Sequence, residues 1–245
     1  EIDAGPGAPL ACALSSEPGD VIFFDFDGDI VDGVSGNPGT HGGSRLAGTS
    51  PCGGSAVEIP ARDSFFLVDD RPGFDLNEGS IDFWAFLPPP PGAASVFFSR
   101  DALGAALPGH LSVFMLADGF MLARLQSTTE VTGAACGDAI AFDAWHRIGI
   151  NFGSEGFELW VDGERQTAPP RPKDPFASDC GTDVRIGLGN DNPITLGYSQ
   201  VLTVEGGLDL ALPERDTQPP SYAGLRIDNL RVSTVRRDYA AEIYP

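Results

Sequence analysis

The chain has 245 residues, of which 35 are acidic and 15 basic, so its formal net charge at pH 7 is -20. This charge argues against a nucleic-acid partner and against docking on anionic lipid, because both interactions need Lys and Arg to neutralise phosphate. No apolar run approaches the roughly 18 residues that a membrane-spanning helix needs. Apolar residues make up 42% of the chain, enough for a core, and no linker divides it, so we expect a single domain over residues 1–245.

Short strands, rather than helices, are the predicted elements. The chain contains 31 Gly and 21 Pro, which interrupt every stretch that could show helical periodicity, whereas runs of alternating apolar residues are common. Turn signals recur about every 8–12 residues, which indicates an all-β sandwich or barrel. The predicted strands, in chain order, are 21–26, 80–87, 110–116, 120–125, 145–152, 156–161, 184–188 and 225–235.

Two Asp-Gly pairs predict tight turns. Asp118-Gly119 separates two apolar runs, and Asp162-Gly163 follows another. An Asp-Gly pair in this position is a strong hairpin signal. Alternation along 145–150 further predicts that the apolar positions face the core and that His146 faces outwards.

Residues 189–221 form a long, polar segment rich in Gly and Pro. It contains two weakly strand-like pieces, at 200–204 and 208–212. We expect an elaborated loop over one end or face of the sandwich, and long ordered loops often carry function.

The four cysteines predict two disulfides. Cys12, Cys52, Cys136 and Cys180 lie far apart and lack CxxC spacing, which disfavours zinc and a redox motif. Of three possible pairings we favour Cys12–Cys52 and Cys136–Cys180, which close similar loops. Four buried free thiols are the alternative. Disulfides in an acidic chain with a single Lys predict a secreted protein, extracellular or periplasmic.

Four segments of the chain, taken in order, match a known family pattern. They are 26–37 followed by His41-Gly42, 79–88, 145–150 together with 157–163, and 224–232. Together they resemble the laminin-G-like domain of the concanavalin A-like lectin/glucanase superfamily, in its bacterial secreted form. The resemblance spans about residues 20–235 and implies a two-sheet antiparallel jelly-roll sandwich.

A calcium site is the best-supported chemical hypothesis. Five side chains with oxygen ligands are concentrated in one early loop, and hard cations take such ligands together with carbonyls at Gly-rich turns. The resemblance implies a structural calcium where this loop meets the last strand, with Asp27 and Asp228 nearest the ion and Asp32 or Asn37 also available. The alternative is an acidic turn that bonds to its own backbone. The five side chains are Asp25, Asp27, Asp29, Asp32 and Asn37.

Sugar recognition needs an aromatic plate for the apolar ring face and nearby polar groups for the hydroxyls. Trp160 and Tyr198 are the candidate aromatic groups, and Asn190 and Asp191 the candidate polar ones. Trp84, Phe114 and Tyr222 are further aromatic residues. The alternative is that these rings pack within the sandwich.

Catalytic signatures are missing. The Glu-x-Asp-x-x-Glu pattern of glycosidases in this superfamily does not occur, and Glu155-Gly156-Phe157-Glu158 has the wrong spacing. His41 and His146 both lie in the matched segments, which gives them a structural explanation, and no catalytic residue is assigned. The only basic concentration is predicted to be a solvated strand face. It comprises Arg226, Arg231, Arg236 and Arg237.

The function favoured by the sequence is non-catalytic recognition of a glycan or of an extracellular protein, with calcium as a structural cofactor. Two alternatives stay open. One is a glycoside hydrolase or polysaccharide lyase with an unrecognised site. The other is a structural subunit of an extracellular homo- or hetero-assembly.

Overall fold

The computed structural model describes residues 12, 15–61, 64–89, 95–100, 109–116, 118–126, 132–171, 177–189, 193–197 and 223–240. Within these ranges the regular elements are fifteen β-strands, and no helix occurs. The strands are β1 (Asp20–Phe24), β2 (Thr40–Gly42), β3 (Arg45–Ala47), β4 (Ala56–Ile59), β5 (Phe65–Val68), β6 (Gly79–Leu87), β7 (Ser95–Arg100), β8 (His110–Met115), β9 (Met121–Gln126), β10 (Thr132–Gly137), β11 (Ala144–Phe152), β12 (Glu158–Val161), β13 (Glu164–Arg165), β14 (Ile194–Leu196) and β15 (Leu225–Ser233).

The strands form two antiparallel sheets, which confirms the predicted sandwich. Sheet 1 has the order β13-β12-β11-β6-β15-β4-β3, and β1 also pairs with β15. Sheet 2 has the order β10-β9-β8-β7-β14-β5-β2. Strand β6 pairs with β11 on one side and with β15 on the other, each along most of its length. These three strands therefore form the centre of sheet 1.

The core lies between the two sheets because alternate side chains of each strand point inwards. On β6, Ile81 and Phe83 are buried in this core, and the Phe83 ring stacks on Phe98 of sheet 2 with ring centroids 6.0 Å apart. Burying a side chain of this size stabilises the fold by about 1.5–3 kcal/mol. The intervening β6 residues, including Asp82, Trp84 and Phe86, therefore face the outer side of sheet 1.

A second, smaller core lies on the outer side of sheet 2. Phe114 and Phe120 are buried there with Ala168 and Ala177, beside the disulfide between Cys136 and Cys180. The other disulfide joins Cys12 to Cys52. The predicted pairing is therefore confirmed. Each bridge closes a loop of about 40 residues and is expected to add about 3–4 kcal/mol by restricting the unfolded chain.

Both predicted Asp-Gly turns are confirmed. Strands β8 and β9 pair up to Met115 and Met121, with Gly119 at a φ of 88°. Strands β12 and β13 are joined by Asp162 and Gly163 alone, at φ angles of 51° and 81°. Positive φ at both central residues gives the twist that a two-residue hairpin requires.

Three local predictions differ from the structure. Residues 184–188 do not form a strand, since only Leu188 makes a single bridge, to Leu76. The segment 189–221 contains β14, which lies between β5 and β7; residues 190–192 and 198–221 lie outside the described part of the chain, as do both strand-like pieces predicted there. His146 does not face outwards. It pairs with Ala85, on the core side, and is only 8% exposed because Asp162 and the Ala141 carbonyl bind its two ring nitrogens.

The chain after β15 crosses the outer side of sheet 1. The hydroxyl of Ser80 donates to the Val235 carbonyl, and the Asn151 amide donates to the Arg237 carbonyl. Tyr239 ends this crossing, buried against Gly149, where any side chain would collide with its ring. The crossing chain therefore covers the part of this outer side around Gly149, and the part farther from Tyr239 lies beyond it. Within the described residues, no helix is long and apolar enough to cross a membrane.

Candidate functional site

Asp228 lies in a closed pocket on the outer side of sheet 1. It pairs with Trp84 of β6, and β15 bulges immediately after it, where Asn229 has a φ of 53°. The Asp228 side chain is 0% exposed because the loop before β4 covers it, and the Ser50 hydroxyl donates to its Oδ2 atom. The Ser50 hydroxyl in turn accepts the Cys52 backbone N–H at 2.8 Å, so the Cys12–Cys52 disulfide anchors this cover.

Each of these two paired residues has a buried polar atom without a hydrogen-bond partner. They are the Oδ1 atom of Asp228 and the indole Nε1 atom of Trp84. The pKa of Asp228 is raised to about 7, mainly by burial and also by the nearby negative charges of Asp27 and Asp25, although hydrogen bonds from Ser50 and the Asn229 backbone lower it. A buried carboxylate oxygen without a partner carries a desolvation penalty, which a bound cation or a proton would remove.

Gly54 brings the covering loop against the early aspartate turn. A Cβ atom at Gly54 would lie 1.8 Å from Asp27 Oδ1, and its φ of 63° also favours glycine. Within the turn, Asp25 Oδ1 accepts the Asp27 N–H at 3.1 Å. The Ser55 hydroxyl donates to the Phe26 carbonyl at 3.0 Å and joins the turn to the loop. Asp25 and Asp27 are therefore held beside the Asp228 pocket.

Asp32 has a structural role in the same turn. Its Oδ1 accepts the backbone N–H groups of Phe23 and Val34 at 2.8 and 3.1 Å. Its Oδ2 accepts the Ser35 hydroxyl at 2.6 Å and an Arg71 N–H at 2.5 Å. Both oxygens are thus engaged in holding the turn on β1. Asn37 is exposed, and its backbone carbonyl accepts the Asp32 N–H. No described contact links Asp32 or Asn37 to Asp228.

Few side chains are available to bind a metal ion beside Asp228. Within the described residues, no three His, Cys, Asp or Glu side chains form a ready-made metal cluster. Asp228, Asp27 and Asp25 are the available carboxylates, and Ser50 supplies a hydroxyl. An ion here would take its remaining oxygens from backbone carbonyls and water, which is compatible with calcium and not with zinc.

A second candidate site is a row of side chains across the outer side of sheet 1, at the end away from Tyr239. Trp145 pairs with Phe86, and Phe86 pairs with Arg226. We call Trp145, Phe86 and Arg226 the aromatic–arginine row; all three are half-buried. The two rings meet edge to face with centroids 5.7 Å apart. The row continues to Glu58 and Arg45 on the next two strands.

Arg226 is stacked and unpaired. Its guanidinium carbon lies 3.9 Å from the Phe86 ring centroid and 5.6 Å from the Trp145 ring. In the part of the chain that the structure describes, every other arginine has a carboxylate oxygen within 4 Å, and Arg226 has none. Glu58, directly across from Arg226, is bonded to Arg45 at 2.7 Å. The in-plane N–H donors of Arg226 are therefore available to a ligand.

The prediction of a solvated arginine face is wrong for the remaining members of that group. Arg231 is 3% exposed and donates two hydrogen bonds of 3.0 Å to Asp82. Arg236 and Arg237 pair with Glu158 and Asp20. Arg231 lies under the chain that crosses sheet 1, and Arg236 and Arg237 belong to that crossing chain, so all three cations form buried or half-buried ion pairs. Only Arg226 lies beyond that cover.

Of the predicted sugar-binding residues, Trp160 lies in the described part of the chain. It is half-buried, and its indole N–H donates to Glu158 at 3.3 Å. Its ring lies 6.1 Å from that of Tyr239, which covers part of it. Tyr198, Asn190, Asp191 and Tyr222 lie outside the described residues. Trp84 and Phe114 are buried and offer no plate to a ligand.

A cleft of about 450 Å³ opens near Trp160, between the edge strands of the two sheets. Its volume falls within the range of small-molecule sites. Four of its five charged lining residues are paired with one another: Arg165 bonds to Glu158 at 3.1 Å, and Arg185 bonds to Asp183 at 3.2 Å. The fifth, Glu155, pairs with Arg236 at 3.4 Å. The cleft therefore has a suitable size, but it has fewer free donors than the aromatic–arginine row.

No family model and no curated protein matches the chain. Solved structures do match it. Domain 4 of AbnA, a GH43 extracellular arabinanase from Geobacillus stearothermophilus solved with arabinotriose, matches with a TM-score of 0.59 and 15% identity, over 94% of this chain and 100% of that one. The binding domain of botulinum neurotoxin serotype D matches with a TM-score of 0.61 and 11% identity, over 92% of this chain and 51% of that one.

The same toxin domain in complex with N-acetylneuraminic acid gives a TM-score of 0.59 at 12% identity, over 92% of this chain and 49% of that one. The chain thus spans about half the length of the neurotoxin binding domains that it matches. At these identities the likeness establishes a shared fold. The chain is therefore a β-sandwich domain similar to those of the arabinanase and the neurotoxin, and its laminin-G-like assignment stays a prediction.

Proposed function

We propose that this chain is a secreted, non-catalytic carbohydrate-recognition module that binds a glycan on the aromatic–arginine row. The observation that carries the proposal is the juxtaposition of a half-exposed Trp145 ring with the unpaired guanidinium of Arg226. Aromatic faces pack against the C–H face of a sugar, and a planar donor group beside them binds its oxygens. Two disulfides support a secreted protein.

The dimensions of the row support an oligosaccharide ligand. Neighbouring strands lie about 4.8 Å apart, so the five strands from Trp145 to Arg45 extend over roughly 19 Å. Glu58 and Arg45 add a carboxylate and a second guanidinium to that line. The fold supports the proposal as well, because the matched arabinanase domain was solved with arabinotriose and the matched toxin domain with N-acetylneuraminic acid.

Titration calorimetry against oligosaccharides selected on a glycan array tests this site. Trp145→Ala is expected to weaken binding at least about tenfold, because it removes one aromatic stacking surface. Trp160→Ala is the matched control, since Trp160 is also half-buried on sheet 1 but lies outside the row. Loss of binding in Trp160→Ala with retention in Trp145→Ala would move the site to the Trp160 end of sheet 1 and refute the row.

We further propose that a structural calcium ion binds in the Asp228 pocket. Asp228 would hold it, the charges of Asp27 and Asp25 lie nearby, and the Ser50 hydroxyl is bonded to Asp228. The support is the buried Oδ1 atom without a partner, together with the equally unpartnered indole N–H of Trp84, which could donate to a water on the ion. The ion would neutralise Asp228 and complete its coordination with backbone carbonyls and water. It would fix loop geometry and activate no water.

Terbium, a luminescent substitute for calcium, tests this proposal. An ion in the pocket is expected to give terbium emission on tryptophan excitation, because Trp84 lies next to Asp228. Excess calcium is expected to abolish the emission, and Asp228→Asn to prevent it. Trp84→Phe is expected to lose the emission while keeping the calcium-induced rise in melting temperature. A melting temperature that calcium leaves unchanged would refute the site.

A further inference from the structure

We infer that the aromatic–arginine row selects a sugar that bears a carboxylate, of the uronic or sialic acid class, and that Arg226 binds this carboxylate. This inference rests on the proposed sugar site. It adds the class of ligand, which neither the fold nor the aromatic rings determine.

The first support is the charge state of the row. The chain has a formal net charge of -20, and its acidic residues outnumber its basic ones by more than two to one. Every other described arginine of this acidic chain has a carboxylate oxygen within 4 Å, whereas Arg226 has none. A half-buried cation without a counter-ion is strengthened as a binding group, because its field is less screened than at a fully exposed position.

The second support is the orientation of Arg226. Its guanidinium stacks on the Phe86 ring at 3.9 Å, which fixes the plane and leaves the N–H donors along its edge. The planar fork of arginine matches the two oxygens of a carboxylate, and such bidentate pairs are among the stronger hydrogen-bonded contacts. A sugar ring on Trp145 would place a ring substituent next to this edge, since the two residues are two strands apart.

The third support is the surroundings of the guanidinium. Gly48 has a φ of 76°, and a Cβ atom there would lie 2.9 Å from Arg226 Nη1. The loop backbone thus approaches this nitrogen closely and brings no charged side chain to it. The nearest carboxylate in the row, that of Glu58, is bonded to Arg45. No described carboxylate therefore neutralises the guanidinium.

Long-range repulsion from the acidic surface does not oppose this contact strongly. Exposed charges are screened over about 8 Å at physiological ionic strength, whereas the Arg226 contact acts at hydrogen-bond distance. We therefore expect the preference for acidic over neutral sugars to persist at physiological salt, because screening then removes most of the repulsion between the ligand and the more distant carboxylates.

Matched pairs of ligands test the inference. Calorimetry compares oligogalacturonate with its methyl ester, and sialyllactose with its methyl ester, so that each pair differs in the charge of the acid group alone. The wild-type chain is expected to bind at least one acid about tenfold or more tightly than its neutral partner, as charged hydrogen bonds allow. The two pairs distinguish uronic from sialic acids.

Arg226→Gln is expected to bind the acid and its neutral partner equally, and Arg226→Lys to recover only part of the preference because it lacks the fork. Arg185→Gln is the control, because it removes the same charge from an exposed site away from the row. Melting temperatures of all variants verify that they fold.

Equal binding of acid and neutral partner by the wild-type chain overturns the inference, as does a preference that Arg226→Gln retains. If Trp145→Ala still abolishes binding of the neutral sugars, the proposed function stands without it. Failure of every sugar in both pairs and on the array removes both. Binding of an acidic peptide through Arg226, with no sugar binding, also overturns the inference.

Discussion

Two carboxylates buried on the same side of sheet 1 have opposite surroundings. Asp82 is 3% exposed and accepts hydrogen bonds from Arg231 and Arg147. Asp228 is also buried, but no cation of the described residues pairs with it, and its Oδ1 atom has no partner. The two carboxylates therefore differ in their counter-charge and not in their burial.

The same contrast separates two arginines of β15. Arg231 is paired with Asp82 beneath the crossing chain, whereas Arg226, five residues earlier, stacks on Phe86 without a carboxylate. Among the described residues, β15 thus carries one carboxyl group and one guanidinium group without a counter-charge, those of Asp228 and Arg226, whereas Arg231 is paired.

Asp82→Asn should give the largest effect. It leaves Arg231 and Arg147 buried without a full counter-charge, which is expected to cost about 3–5 kcal/mol of unfolding free energy. Urea denaturation of the calcium-free chain measures it. Asp228→Asn is the matched substitution, and without calcium at pH 7.5 it should leave stability unchanged or raise it. Comparable losses in both variants would remove the distinction between the two carboxylates.

The pH dependence of stability sharpens the comparison. The folded-state pKa of Asp228 is raised to about 7, so the unfolded chain releases this proton at a lower pH than the folded chain does. Stability of the calcium-free chain is therefore expected to fall as pH rises from about 4 to about 7. This pH-dependent component should be absent from Asp228→Asn. It is measured as the difference between the wild-type chain and the variant when the melting temperature of each is followed against pH in chelator.

Calcium should act in the opposite direction. Because the ion competes with the proton on Asp228, its stabilising effect is expected to be larger at pH 8 than at pH 5. At a calcium concentration one hundred times the dissociation constant, the gain is about 2.7 kcal/mol. An equal shift at both pH values would show that the ion binds elsewhere.

Arg45→Gln should give the smallest change in stability. The Arg45–Glu58 pair is largely exposed, so its loss is expected to cost less than about 1 kcal/mol. The released Glu58 can then turn to Arg226, its cross-strand neighbour, and lower the affinity for acidic sugars a few-fold. An unchanged preference for acidic over neutral sugars in Arg45→Gln would contradict the role of the row.

Local patterns carried much of the fold. The long strands β6, β11 and β15 were predicted from alternation, because each has one face in the main core. The strands that were missed are mostly short, and β14 lies at the centre of sheet 2 despite having three residues within a Gly- and Pro-rich segment. Its position depends on pairing with β5 and β7, which no local pattern encodes.

The candidate sites were less predictable for the same reason. The sequence indicated Asp27 and Asp228 through a resemblance, but Ser50 and Gly54 have no signal beyond a Gly-rich loop. Arg226 was expected to be solvated. Its stacking on Phe86 and its lack of a carboxylate partner depend on the register of five strands, which the local sequence does not encode. Trp145 and Glu58 are distant from it in sequence, and only the sheet aligns them.

The disulfide that anchors the cover of Asp228 has a consequence for how the protein matures. Cys52 lies two residues after Ser50, so reduction would release the very loop that closes over the buried carboxylate. Cation affinity would then depend on the thiol chemistry of the compartment. Under the proposed calcium site, the chain with reduced cysteines is therefore expected to bind calcium more weakly than the oxidised chain.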